Sequence, residues 1–514
     1  MFKKLTCFFT VLLTALAFIN NCYAQANTIG IFDGSTDIGV IKHKGSVAYN
    51  ARLQQYEAIG SGADMWNDHD EFYFVWKKMK GDFLLRTNAA FVGNNGQLNR
   101  KYGLMVRSNL ATNSAHVNVM VHGNGITSMQ YRKVNGGETA EQRTPVTSAG
   151  VLQLERKGNT YYVSVARKGN VFAPEEKIDL DLGDDVYVGI YVCAHNANLT
   201  QKAIFNNVRI VKPAPANLKA YKEYLGSSIE LLDMQTSNSR IIYQSPKSLQ
   251  APNWMVDGKS LIYNSEGALY KFNLAASTPA VLNTGQAKNN NNDHVLSFDG
   301  KMLAISSGDG GPSIGYVVPA AGGEARMVTK KGVGASYMHG WSPDGKYLVF
   351  CGERNKEYDV YRIPVEGGAE ERLTTAPGLD DGPEYTPDGK YIYFNSVRSG
   401  LMQVWRMKAD GSEQTQVTND DYNNWFPHVS PDGKWVVYIT FLKSEVAPGD
   451  HPFYKHVYIR VMPAGGGPSK VIAYLYGGQG TINTPSWSPD SKHIAFVSNS
   501  NLLFPIFPIA NTNN

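Results

Sequence analysis

The sequence predicts an all-β chain of two domains, and three observations predict it. A ten-residue pattern centred on Pro-Asp-Gly recurs through the second half. Runs of alternating apolar and polar residues fill the first half without such a period. The 514 residues include 50 Gly and 29 Tyr with only 18% charged, a composition of turns and strands rather than helical bundles. The length exceeds one ordinary domain and allows two or three. A net charge of +4 is close to neutral for this length and gives no support to a nucleic-acid binder.

Residues 1–24 read as an export signal. Lys3 and Lys4 form a basic start, and an apolar run follows from Leu5 to Ile19. That run is shorter than the roughly 20 residues that span a bilayer. Cys22-Tyr23-Ala24 then offers small residues at the −3 and −1 positions, for cleavage before Gln25. The expectation is an exported protein, periplasmic or extracellular, soluble once cleaved and without a later membrane span. Cleavage removes Cys7 and Cys22, so Cys193 and Cys351 remain as buried free thiols rather than a disulfide framework.

Residues 26–212 carry strand signals: Glu71 to Trp76, Gly103 to Arg107, His116 to Val121, Thr160 to Val165 and Val186 to Val192. Turn residues separate them, which predicts an antiparallel, jelly-roll-like β-sandwich. The stretches Gly60 to Trp66, Asp70 to Phe72, Lys80 to Phe83, Tyr102 to Arg107 and Leu152 to Asn159 resemble concanavalin-like sandwich modules of secreted polysaccharide-associated proteins. That resemblance implies carbohydrate. Trp66 and Trp76 are either sugar-stacking platforms or aromatics of the sandwich itself. Lys212-Pro213-Ala214-Pro215-Ala216 is a short stiff linker.

The repeat covers residues 218–500. WSPDGKYLVF from Trp341 recurs as YTPDGKYIYF from Tyr385, VSPDGKWVVY from Val429 and WSPDSKHIAF from Trp487, with weaker copies from Trp254 and Leu296. The turn aspartates Asp257, Asp299, Asp344, Asp388, Asp432 and Asp490 stand 42, 45, 44, 44 and 58 residues apart. Pro-Asp-Gly makes a hairpin turn, and the β-branched or aromatic run that leaves it is a strand. A second strand pair follows in each copy, and four strands in about 44 residues make one blade of a six-bladed β-propeller. Only about two strands fit after Trp487. The missing pair is read upstream, at Ile229 to Asp233 and Arg240 to Tyr243, so that N-terminal strands of the propeller domain close the ring. Residues 501–514 form a tail. These repeats resemble the TolB-type (PD40, WD40-like) propeller family. That resemblance implies a protein-interaction platform in an envelope assembly.

A residue shared by all blades builds the frame, so function is sought where blades differ. Five residues before each turn Asp stand Pro252, His294, His339, Pro383, Pro427 and Pro485. Asn292, Asp293, Tyr337, Asp380, Asp381, Glu384, Asn424, Trp425, His428 and Asn483 lie around them. The segments entering the innermost strands surround one mouth of the channel. Asp293, His294, Tyr337, His339, Asp381, Glu384, Asn424, Trp425 and His428 are therefore the candidate ligand-binding set. Three readings stay open: a pocket for a polar ligand such as a glycan or peptide, a divalent-metal site using His294, His339, Glu384 and His428, or a water-filled mouth. The 58-residue spacing adds 14 residues near Lys443 to His456, including Asp450-His451-Pro452, and long insertions are often functional.

The expected function is non-catalytic recognition of a polysaccharide, a peptide or an envelope protein, with no cofactor. The alternative is a metal-assisted polysaccharide lyase or hydrolase at the channel mouth. It rests on resemblance to propeller lyases that use channel histidines with a metal.

Overall fold

The computed structural model describes residues 29–219, 222–308 and 310–504. The export signal expected at 1–24 and most of the tail lie outside the described residues. Among the described residues no helix is long and apolar enough to cross a membrane.

Two seven-stranded antiparallel sheets build the first domain. One runs in the order Gly34–Ile38, Phe72–Lys80, Asp185–Cys193, Lys101–Arg107, His116–His122, Thr127–Arg132, Thr139–Arg143. The other runs Glu176–Asp179, Thr160–Ala166, Val151–Lys157, Phe83–Phe91, Gln201–Val211, Gln55–Gly60, Ser46–Asn50. Alternate residues of both sheets, such as Val75, Val106 and Ile190 against Leu85, Leu154 and Phe205, meet in one buried cluster. Trp76 packs edge-on against Tyr187 at 5.1 Å, whereas Trp66 stands 37% exposed on a hairpin.

The second domain is a six-bladed propeller. Blades 1–5 are four-stranded sheets whose innermost strands are Gln250–Trp254, Asn290–Leu296, Ser336–Trp341, Asp380–Tyr385 and Tyr422–Val429. In blade 6, His493–Asn499 pairs along its length with Ser227–Asp233, which pairs in turn with Ser239–Ser245. Its innermost position shrinks to a single bridge between Trp487 and Ile494.

The repeated motif has a repeated bonding scheme. In blade 3, Asp344 Oδ1 accepts from Ser342 Oγ and from Lys346 N, while Ser342 Oγ accepts from Tyr347 N. The same three bonds recur around Asp299, Asp388, Asp432 and Asp490. The turn aspartates are frame, as their presence in every blade implied.

The first domain docks on blades 5 and 6. Gln54 exchanges two hydrogen bonds with the Ile241 backbone, both 2.9 Å, and Arg209 pairs with Glu230 at 2.7 Å. Tyr476 Oη accepts from Ala214 N, and Leu84 of the first domain clusters with Leu225, Tyr454 and Tyr476. Cys193 and Cys351 are both free and buried.

Candidate functional site

Each innermost strand of blades 1–5 carries a break in pairing register two to five residues before its turn: at Gln250/Asn253, Asn290/His294, Met338/Gly340, Asp381/Glu384 and Trp425/His428. A β-bulge re-aims the side chains on either side of it. Gly382 occupies this bulge in blade 4 with φ +60°, and a Cβ there would meet Asn395 Oδ1 at 2.7 Å. The bulge decides which candidates face the channel.

Those that do form a chain of contacts across five blades. Asn483 of blade 6 donates to Asp293 Oδ1 of blade 2 at 2.6 Å. His339 of blade 3 lies between Asp293 and Asp381, with Nε2 at 3.6 and 3.2 Å from their Oδ1 atoms. Asp381 Oδ2 of blade 4 meets His451 Nε2 of the blade 5 insertion at 3.2 Å. Asn291 also donates to Asp293, and Gly382 N donates to Asp381. Burial pulls His339 toward the neutral form, but its bond to Asp381 and the nearby carboxylate charges outweigh this and raise its pKa. Burial likewise pushes Asp381 up, yet the two imidazoles hold its carboxyl far below the usual range. Asp293 shifts the other way: burial and the Asp381 charge raise it against the pull of His339.

The chain edges a cavity of about 710 Å3. Gln250 and Asn264 of blade 1, Asn290 to Asp293 of blade 2, Tyr337 and His339 of blade 3, Asp381 of blade 4 and His451 of blade 5 line it. Burial pushes the Tyr337 phenol up, with the Asp293 charge adding to it. The insertion reaches over this mouth: His451 packs edge-on against Trp425 at 4.8 Å, and Gln479 N donates to Pro452 O. The buried Asn290 Oδ1 has no hydrogen-bond partner.

The five other candidates sit elsewhere. His294 is fully buried with neither ring nitrogen in a well-aligned hydrogen bond, although backbone at Ile262, Ala251 and Asn292 faces the ring. Burial lowers its pKa to about 4, so it is neutral at pH 7. Asn424 is a strand-linking core amide, bonded to Gln403, Thr418, Asp420 and Thr440. Trp425, expected at the channel mouth, is 1% exposed and packs with Met402, Phe426 and Ile439. The bulge beside it turns its ring into the blade. Glu384 and His428 pair with each other at 2.5 Å, and His428 spends its other nitrogen on Ile482 O. Of the four metal candidates only His339 lines the cavity; His294, Glu384 and His428 are absent from its lining. Among the described residues no group of three or more His, Cys, Asp or Glu is placed to hold a metal ion. Asn290, Asn291 and Tyr358 were missed as lining residues, though the run Asn289 to Asn292 was a visible signal.

The sequence profile of the TolB beta propeller domain, PD40, matches residues 333–449. An uncharacterised protein of Agrobacterium fabrum is 44% identical over 273 residues, which is 53% of this chain and 92% of the relative. A solved structure described as a candidate TolB from Agrobacterium tumefaciens is 43% identical, covers 55% of this chain and all of its own, and superposes with a TM-score of 0.52. The Tol-Pal system protein TolB of Bordetella pertussis is 25% identical over 171 residues, 32% of this chain and 39% of that protein. The aligned length in Agrobacterium is about that of the propeller, and the chain belongs to the family of TolB-like β-propeller proteins that includes this Agrobacterium relative.

Proposed function

We propose that this is an exported recognition protein that holds a polar segment of an envelope component, protein or polysaccharide, in the mouth of its propeller. The observation that carries the reading is the 710 Å3 cavity, walled by residues of five blades and by Gln479 on the way into the sixth. Its size suits a small-ligand or peptide-segment site, and its lining is mostly amide and hydroxyl. The carboxylates and imidazoles at its edge are bonded to one another, which favours binding over turnover. The Tol-Pal naming of the Bordetella relatives supports an envelope protein as partner. The concanavalin-like, jelly-roll reading of the first domain, with Trp66 at its surface, supports a polysaccharide. The pairing of Ser227–Asp233 with His493–Asn499 reads as closure of the ring, which keeps the mouth rigid. A metal-assisted lyase or hydrolase would need a gathered set of ligands, and among the described residues no group of three or more His, Cys, Asp or Glu is placed to supply one.

Gly311 gives a clean test. It lines the mouth, its φ lies outside the left-handed region, and a Cβ there meets nothing within 4 Å. Gly311→Trp is expected to plug the mouth without disturbing the fold. Capture from an envelope extract, or binding on a glycan array, should fall at least about tenfold with an unchanged melting temperature. Undiminished capture by the folded variant would remove the mouth from the function.

A further inference from the structure

A second cavity, of about 310 Å3, lies between the first domain and blade 5. Its lining includes Arg86, from strand Phe83–Phe91, which is only 5% exposed. A guanidinium carries five N–H donors. Arg86 uses one, from Nη1 to Gln153 Oε1 at 3.3 Å. The carboxylate whose charge bears on it, Glu230, is already occupied by Arg209 Nη2 at 2.7 Å, Ser239 Oγ at 2.7 Å and Ser498 Oγ at 2.6 Å. Arg86 makes no ion pair with Glu230, so two guanidiniums lie in the field of one carboxylate that only one of them, Arg209, contacts, an arrangement that burial penalises. Burial lowers the Arg86 pKa to about 10 for the same reason.

The rest of the cleft is aromatic and acidic. Phe172, Tyr458 and Tyr474 form one wall, with ring centroids 4.9, 5.7 and 6.1 Å apart. On another side, His456 lies 2.6 Å from Glu445 and 3.2 Å from Glu155, the latter contact poorly aligned for a hydrogen bond. Lys157 also meets Glu155, at 3.2 Å, and Glu175 stands exposed at the rim.

We propose that this interdomain cleft binds a sugar acid, with its carboxylate on Arg86, its ring against the tyrosine wall and its hydroxyls donating to Glu445 and Glu175. Each part of the ligand answers a feature of the cleft. The guanidinium fork matches a carboxylate in two-point geometry. Carboxylate oxygens keep lone pairs for hydroxyl donors after one ion pair is made. A neutral sugar leaves Arg86 uncompensated, and an aromatic acid has nothing to offer the glutamates. A free monosaccharide and the end of an acidic polysaccharide share this chemistry, and the site opens to solvent at Lys157 and Ser444.

The test is calorimetric titration of the full mature chain with glucuronate and galacturonate, with glucose and galactose, with benzoate, and with uronate oligomers. Uronates are expected to bind at least about tenfold more tightly than the neutral sugars and than benzoate. Oligomers that bind more tightly than monomers identify a chain end as the natural occupant; equal binding identifies the free sugar. Arg86→Met should erase the preference for the acid. Ser444→Trp, which narrows the rim and leaves every charge in place, should weaken uronate binding even if Arg86→Met fails to fold. Gly311→Trp, at the other mouth, should leave it unchanged. No uronate binding at millimolar concentration, equal binding of uronate and neutral sugar, or a preference that survives in Arg86→Met overturns the proposal.

Discussion

His456 lies between Glu445 of its own domain and Glu155 of the other. Burial pulls its pKa down, but the two carboxylates outweigh burial and raise it from 6.5 to about 9. A raised histidine contributes stability in full below its unfolded value and loses it as pH climbs through the folded value. The docking of the domains is therefore expected to weaken between about pH 6.5 and 9. His339 adds loss of the same sign above its unfolded value, and Asp381, held low, adds loss of the opposite sign as pH falls below about 3.9. Melting curves from pH 6 to 9.5 should fall in temperature, and His456→Gln should start lower and fall less. Parallel curves for the two proteins would show that His456 carries no such linkage. At this scale the sequence was half legible. Asp293, Tyr337, His339 and Asp381, which line the cavity, stood out because they break a pattern kept elsewhere. Asn424 and Trp425 were misplaced: Asn424 is spent on core hydrogen bonds and Trp425 on the packing of blade 5, beside a bulge at Phe426, φ 50°, that no residue type marks.

Hairpins were the most legible elements, because Ser-Pro-Asp-Gly-Lys writes its own hydrogen bonds. Ser342 is buried, donates to Asp344 and accepts from Tyr347 N. Ser342→Ala removes both bonds and leaves an amide without its partner, and is expected to cost about 1–2 kcal/mol. Blade 1 has Met255 at the equivalent place, and there Asp257 keeps only its bond from Lys259 N. Met255→Ser would restore those bonds but strip an apolar side chain that packs on the core between blades 1 and 2, so it is expected to leave stability within about 1 kcal/mol of the parent. Chemical denaturation of the two variants measures both effects. A neutral Ser342→Ala would mean that solvent replaces the lost bonds. The insertion was legible by length alone. That it brings His451 over the mouth onto Asp381 was not, since nothing in Pro448 to Pro452 specifies a partner some 70 positions away.

The whole molecule behaves as one body in its contacts. Gln54, Arg209, Glu155 and Leu84 of the first domain all engage the propeller, and the Pro-rich joint at Lys212 to Ala216 is tied down by Tyr476 rather than spanning open solvent. Scanning calorimetry is expected to give one transition for the described chain; two resolved transitions would show that docking is weak. The repeat and the Pro-rich joint led to a two-domain reading but carried no record of the docking, because the outer face of a sheet reads as polar whether it meets water or Tyr454, Tyr474 and Tyr476. Blade 6 has a further consequence, one of timing. Ser498 bonds Glu230, 268 positions earlier, so the propeller's first-made strand, Ser227–Asp233, lacks one of its two neighbours until His493–Asn499 has been synthesised. Until then its flank is a bare sheet edge, open to wrong pairing with other chains. That pairing is thus a late, long-range step, slow by its topology. A chain delivered across a membrane as an unfolded thread would meet that step only on the far side.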